Sequence, residues 1–416
     1  MLGEFGFERE KGLEMTKNVS VPEGYKKTEL RVIPEEWKVT KLEDCCNKIT
    51  DGSHYSPKSV EESYYKIATI ANINNNKFDL ESCKNISKEE YEKLLKNGCK
   101  PNIGDVLFSK DGTVGLCLVH KQEANLVLLS SIAIIPPKRE VLNSDFCAHM
   151  LKSDLILNEI IGRKTGTAIR RVVLRDLKTV KIPIPTLPEQ QKIASILSKV
   201  DEQIEQTEQI IEKTELLKKG LMQKLLTKGI GHTKFKKTEL GEIPEEWSVV
   251  TIGDVITLQR GHDLPVTERT EGDFPVVGSN GIVGYHNEYK AKGPGVSMGR
   301  SGTIGKIYYC DSDYWPLNTS LYVKDFKNNN PKFIYYLLQN LDYERFNSGT
   351  SVPTLNRNLV HPYKIIFPKQ YDEQQKIAYI LSKVDSQIQD NQNYLSKLQE
   401  LKKGLMQDLL TGKVRV

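Results

Sequence analysis

Residues 189–204 read EQQKIASILSKVDEQI and residues 373–388 read EQQKIAYILSKVDSQI, with fourteen of the sixteen positions identical. The stretch LKKGLMQ at 217–223 returns at 401–407 with the same offset of 184 residues. A second phrase, KKTELRVIPEEW at 26–37, returns as KKTELGEIPEEW at 236–247, now with an offset of 210. The offsets differ by 26, so the material between IPEEW and EQQKIA is longer in the first half by that amount. The chain is a tandem of two units with constant ends and variable middles.

The repeated stretches carry a narrow apolar seam. Ile193, Leu197, Val200, Ile204 and Ile211 fall on steps of four and three, as do Ile377, Leu381, Val384, Ile388, Leu395 and Leu398. That spacing is the coiled-coil signature. Polar Thr207 and Asn391 interrupt the seam at equivalent places, where a polar residue can fix register. Leu217, Leu221 and Leu225, with Leu401, Leu405 and Leu409, are expected to extend the apolar face. Pro188 suits a helix start, and Gly229 and Gly412 suit helix ends. Gly220 and Gly404 are either tolerated or mark bends. About 38 residues make a rod of roughly 57 Å, too long to bury in one domain, so the two rods are expected to pair, antiparallel if the halves obey a pseudo-twofold axis; the alternative is that each helix packs only on its own neighbouring domain.

Composition narrows the class. The chain has 416 residues, 38% hydrophobic content and a net charge of +5, enough for two to three ordinary cores. Seven scattered cysteines without a CxxC pair favour reduced thiols. No apolar run approaches a membrane span, and MLGEFGFEREKGLEM has acidic residues and no apolar core. These features predict a cytoplasmic protein without a signal peptide or membrane segment, with a tail over 1–23. The positive charge lies in the variable middles, +5 over 38–188 and +2 over 248–371. The cluster GRKTGTAIRRVVLRDLKTVK at 162–181 alone holds seven basic residues against one acidic, which reads as either a solvated face or a phosphate-attracting patch.

Both middles read as mixed α/β. Strands are expected at 116–120, 126–135 and 180–185 in the first, and at 274–278, 306–310 and 320–324 in the second. Helices are expected at 144–161 and 331–341. GDVLFSKDGTVG (104–115) echoes GPGVSMGRSGTIG (293–305), and KTGTAIRRVVLRDL (164–177) echoes NSGTSVPTLNRNL (347–359). The middles are one fold with different surfaces.

This layout resembles the specificity subunit of type I restriction–modification systems from about residue 24 to the C-terminus. The carrying phrases are IPEEW, EQQKIA…LKKGLMQ, the turns GTVG and GTIG, DGSHYSPK at 51–58 and FPVVGSNGIVGYHNEY at 274–289. The resemblance implies an α+β chain with an internal pseudo-twofold repeat. Two mixed α/β target recognition domains would be held apart by two long helices forming an antiparallel coiled coil. The expected division is a first recognition domain with its lead-in over 24–188 and a first spacer helix over 189–228. A linker and second recognition domain follow over 229–371, then a second spacer helix and tail over 372–416. The resemblance also implies partners: double-stranded DNA read as a bipartite site, two methyltransferase subunits docked on the helices, and restriction subunits. No cofactor is expected on this chain; S-adenosylmethionine, ATP and Mg belong to the partner subunits.

Candidate DNA contacts fall in three groups. Lys110 and Arg300 sit on the glycine turns, where lysine or arginine can meet phosphate or guanine edges. Arg163, Lys164, Arg170, Arg171 and Arg175, with Asn356 and Arg357 in the second half, precede each closing strand. Ser53, His54 and Tyr55, with Arg260 and His262, form the third group. The bland reading of each is a solvated turn, a phosphate contact without sequence information, or a surface histidine.

Catalytic motifs are missing. GRSGTIGKI at 299–307 has Arg300 where a phosphate-binding loop needs glycine, and Ile307 after Lys306 where it needs Ser or Thr. IIPPK at 134–138 lacks the preceding Asn or Asp of an adenine methyltransferase motif. Glu36-Trp37-Lys38 has nuclease-like spacing, but the repeat puts Ser248 in place of the lysine. The reading is a non-catalytic DNA-recognition subunit that directs an adenine methyltransferase and an ATP-dependent endonuclease. The alternative is a coiled-coil adaptor that binds proteins without DNA.

Overall fold

The computed structural model describes residues 21–74, 77–162, 171–346 and 354–416. Two long helices organise it, Leu187–Lys228 with 42 residues and Tyr371–Leu409 with 39. Both run unbroken through Gly220 and Gly404, at a cost of about 1 kcal/mol each relative to alanine. Gly229 (φ +65°) and Gly412 (φ +71°) end them in the left-handed region that side chains with a Cβ disfavour.

Two compact units emerge. The first runs to Thr207 and is completed by Tyr394–Val416; the second is Glu208–Asn393. The division cuts across both long helices. In the first unit, Leu405, Met406 and Leu409 from the end of the second long helix, with Leu410 just beyond it, pack with Ile193, Ala194 and Leu197 from the start of the first. In the second unit, Leu221, Met222, Leu225 and Leu226 from the end of the first helix pack with Ile377, Ala378 and Leu381 from the start of the second. Start meets end in both units, so the pairing is antiparallel.

The seam residues behave as their spacing predicts. Ile193, Leu197, Val200, Ile377, Leu381 and Leu398 are buried, and Ile204, Ile211, Val384, Ile388 and Leu395 are half-buried. Thr207 Oγ1 donates to the Gln203 carbonyl at 2.7 Å and Asn391 Nδ2 to the Gln387 carbonyl at 2.8 Å. Each polar interruption is thus satisfied within its own helix. The expected apolar extension fails at one position in each copy: Leu217 is 55% exposed and Leu401 50% exposed.

The variable middles share one topology. The first has a sheet in the order Cys117–Val119, Val106–Ser109, Ile132–Ile135, Thr50–Asp51; the second has Ile307–Cys310, Gly295–Gly299, Ser320–Asp325, Thr257–Arg260. Every neighbour in both is antiparallel. A smaller sheet sets Leu126–Leu128 parallel to Lys66–Ala68, and Trp315–Pro316 parallel to Phe274–Gly278. Lys181–Ile184 closes on Lys38–Lys41 as Lys364–Phe367 closes on Ser248–Thr251. Chain ends therefore return to chain starts, which keeps the constant segments together. A helix, Lys88–Lys96, and the ladder of Ile73–Asn74 with Lys77–Phe78 lie within the first unit's longer middle.

Sequence expectations needed two adjustments. The run at 126–135 is two strands, because residues 129–131 form a turn. The helical run at 144–161 breaks at Ser153, whose hydroxyl donates to the Met150 carbonyl at 2.6 Å, giving helices Ser144–Lys152 and Asp154–Gly162. All seven cysteines are buried and unpaired, and burial pushes the Cys46, Cys117 and Cys310 thiols up to about 12. No described helix is long and apolar enough to cross a membrane.

Candidate nucleic-acid interface

The frame beneath each interface comes from the repeated phrases. Trp37 of the first IPEEW is fully buried and donates through Nε1 to Glu189 Oε2 at 3.1 Å. Trp247 of the second donates to Glu373 Oε2 at 2.9 Å. Gln190 and Gln374, next to those glutamates, accept from the backbone N–H of Asn143 and Asn330 at 2.9 Å each. Asn143 and Asn330 in turn cap the helices that start at Ser144 and Pro331. The constant residues thus bolt the long helices to the recognition folds.

On that frame, each fold builds the same cradle. In the first unit, Val172 N–H donates to the Lys110 carbonyl at 2.7 Å, and Asp111 bridges Arg171. In the second, Leu355 N–H donates to the Arg300 carbonyl at 2.7 Å, and Ser301 bridges Thr354. The GTVG and GTIG turns close identically, with Gly115 N–H reaching Ser109 and Gly305 N–H reaching Gly299, both at 3.2 Å. Beside each turn a glycine admits the neighbouring backbone. A Cβ on Gly52 would lie 2.1 Å from the Leu128 carbonyl oxygen, and one on Gly261 would lie 2.1 Å from that of Leu317. Ser53 then bridges Leu129 and His262 bridges Leu317.

In the second unit this cradle opens as a recess of about 560 Å³ lined by Arg260, His262, Arg300, Asn356 and Arg357, together with Gln259. Five side chains from three separate stretches of sequence meet there. Arg300 is half-buried and donates to the Asn318 carbonyl at 3.4 Å. Arg260 lies 3.6 Å from Asp263, a pair in which both side chains are mostly exposed and which is therefore weak. His262 is held between Trp315 and Tyr322, with ring centroids 6.3 and 6.0 Å away. Burial lowers its pKa, Lys290 adds to that, and Asp263 opposes it. These surroundings favour the neutral imidazole over the imidazolium. Asn356 also caps a short helix, its side chain accepting from Asn358 N–H at 3.0 Å.

The first unit uses its candidates differently. Lys110 is 2% exposed and its ammonium lies 2.5 Å from Asp51 Oδ2. Lys110 was expected to present its charge from an exposed turn; here it is enclosed in an ion pair that ties the turn to the strand Thr50–Asp51. Ser53 is buried, its hydroxyl donating to the Tyr55 carbonyl at 2.6 Å. Tyr55 docks on the nearby helix, donating to Glu90 at 2.6 Å under Lys93. His54 is exposed and faces Asp51 at 3.4 Å. Arg171 meets Asp111 at 3.2 Å, and Arg175, 88% exposed, lies 3.8 Å from Asp176. Arg163, Lys164 and Arg170 lie outside the described residues.

Sequence reasoning did not single out Asp51, the first residue of the quoted phrase at 51–58, or Gln259, the neighbour of Arg260. It also missed a buried polar pair against the long helices. His149, 4% exposed, lies 3.2 Å from the Ser198 hydroxyl and 3.9 Å from Asp201. Burial pulls its pKa down to about 4, outweighing the opposing pull of Asp201. In the second unit Tyr336 stands in that place and donates to Asp385 at 2.6 Å. Both aspartates also hold a lysine of LKKGLMQ: Asp201 pairs with Lys402 at 2.5 Å, and Asp385 with Lys218 at 2.7 Å.

Among the described residues, no group of three or more His, Cys, Asp or Glu side chains could hold a metal ion. The family profile described as "Type I restriction modification DNA specificity domain" matches residues 34–216 and 244–400. The chain is 27% identical to the putative type I restriction enzyme MjaX specificity subunit of Methanocaldococcus jannaschii, over 95% of this chain and 97% of that protein. It is also 27% identical to the MjaVIII specificity subunit of the same organism, over 92% and 94%. Its fold is similar to the crystal structure of a type I S subunit from M. genitalium, with TM-score 0.63 and 21% identity over 90% of this chain and 96% of that one.

Proposed function

The chain belongs to the type I restriction–modification DNA specificity family, and we propose that it reads a bipartite DNA sequence, one half with each variable middle. The carrying observation is the recess of the second unit, where Gln259, Asn356, His262 and three arginines converge. Amide groups suit base edges, while exposed guanidinium groups suit phosphates and guanine. The first unit builds the same backbone cradle with other side chains, which supports two unlike readers on one frame.

The chain performs no chemistry in this reading. It directs an adenine methyltransferase and an ATP-dependent endonuclease, and those subunits bring S-adenosylmethionine, ATP and Mg. The repeated helices support two methyltransferase copies per chain. Each carries the same aspartate, the same lysine that pairs with the other helix's aspartate, and the same outward leucine, Leu217 or Leu401, so one partner surface fits twice. Native mass spectrometry after co-expression with the methyltransferase tests this. One chain with two methyltransferase copies, binding duplex DNA less tightly as salt rises, is expected. A one-to-one complex, or a complex without affinity for duplex, overturns it and favours a protein-binding adaptor.

A further inference from the structure

Two positions face each other across the cradle of each unit. One is the last residue of the strand before the close-approach glycine, Asp51 in the first unit and Arg260 in the second. The other is the residue that opens the glycine turn, Lys110 or Arg300. Backbone hydrogen bonds fix the equivalence. Gly52 N–H reaches the Ile132 carbonyl at 3.2 Å, as Gly261 N–H reaches that of Ser320 at 3.0 Å. Lys110 N–H reaches the Ser131 carbonyl at 2.8 Å, as Arg300 N–H reaches that of Thr319 at 2.9 Å. The scaffold is the same and the charges are not.

In the first unit the two positions form a closed ion pair, with Lys110 2% exposed and Asp51 also faced by His54. Arg171 on the adjoining bridge is likewise matched by Asp111 at 3.2 Å. In the second unit both positions are guanidinium groups on the wall of one open recess, with Arg357 beside them. The carboxylate nearest to Arg260, that of Asp263, is 70% exposed, and it also accepts from Asn318. Like charges held together on a rigid wall repel, and an anion between them removes that cost.

We infer that Arg260 and Arg300 of the second unit neutralise backbone phosphates of the bound duplex, whereas Lys110 and Asp51 at the same two positions of the first unit are an internal strut that never touches DNA. This rests on the proposed reading of the chain as a DNA-recognition subunit, and it makes the two readers unequal. The second holds phosphate with its cradle, and the first keeps its cradle closed.

Fluorescence anisotropy of the full chain with a labelled duplex, titrated across salt concentrations, tests this without knowledge of the target sequence. Arg260→Gln with Arg300→Gln is expected to reduce the slope of log affinity against log salt by about 1.8, since each phosphate contact contributes about 0.9. Asp51→Asn with Lys110→Gln is expected to lower the melting temperature and leave the slope unchanged. If that pair fails to fold, Asp51→Leu with Lys110→Met removes the same charges into an apolar contact and carries the same expectation. Lys237→Gln with Lys324→Gln, two exposed lysines that do not line the recess, controls for net charge and is expected to change the slope by less than half as much. An unchanged slope in the arginine variant, or an equal drop in the strut or control variant, overturns the inference. A wild-type chain that binds no duplex at any salt overturns the DNA reading itself and this inference with it.

Discussion

Trp37 Nε1 donates to Glu189 Oε2 at 3.1 Å, and so joins two phrases that recur in the chain with different offsets. Trp247 and Glu373 repeat the contact at 2.9 Å. The variable middle leaves this joint and returns to it, so its length can change while the joint stays. Glu189 is 5% exposed, and a hydrogen bond to a buried charge contributes more than an average one. Trp37→Phe and Trp247→Phe are each expected to lower unfolding free energy by about 2 kcal/mol, read from urea denaturation of the full chain. A loss below about 0.5 kcal/mol in both would show that the joint is incidental.

Glu189 has a second partner. Arg415 reaches its two oxygens at 2.6 and 3.1 Å and Glu36 at 3.0 Å. These contacts raise the guanidinium pKa, with Glu189 as the main cause. In the second unit His232 meets Glu373 at 2.8 Å from the same place, three residues after the helix-ending glycine. Because Arg415 is 41% exposed, Arg415→Gln is expected to cost only about 1 kcal/mol. Combined with Trp37→Phe, the loss should exceed the sum of the two, since Glu189 is then buried without a strong donor. Simple additivity in the double-mutant cycle would contradict this.

His149 predicts a pH dependence with a definite sign. Its pKa falls from 6.5 to about 4 in the folded chain because burial disfavours the imidazolium. The unfolded chain therefore binds more protons between those values. The stabilisation is fully present above about pH 6.5 and declines as pH drops toward 4, by at most about 1.4 kcal/mol per pH unit. His149→Gln should flatten the fall in melting temperature over that window. An identical pH profile in the variant would contradict the assignment.

Two glycine substitutions should act in opposite directions. Gly261→Ala pushes a Cβ to 2.1 Å from the Leu317 carbonyl oxygen and is expected to cost about 3 kcal/mol or more. Gly220→Ala meets no atom within 4 Å inside a continuous helix and should stabilise by up to about 1 kcal/mol. Thermal unfolding of both variants checks the pair of signs.

Much of this was legible in the sequence because repetition replaces comparison with relatives. Two copies of one helix gave its limits and its seam, and two echoing middles gave a shared fold. Arg260, His262, Arg300, Asn356 and Arg357 were legible as candidates, and all five line one recess. Lys110 was a candidate too, but its enclosure was not legible. Its partner Asp51 lies 59 positions away, and nothing local distinguishes a buried, paired lysine from an exposed one. The outward turn of Leu217 and Leu401 follows from the seam itself, which runs from buried Thr214 to Leu221 and from buried Leu398 to Leu405 and leaves each leucine to one side.

The most direct test of two separate readers is modified-base sequencing of a genome methylated by this chain and its methyltransferase partner. The account predicts one motif split by a fixed spacer for the wild type. Gln259→Ala with Asn356→Ala should make one half of that motif degenerate and leave the other half intact. A contiguous motif, no motif, or relaxation of both halves together would contradict it.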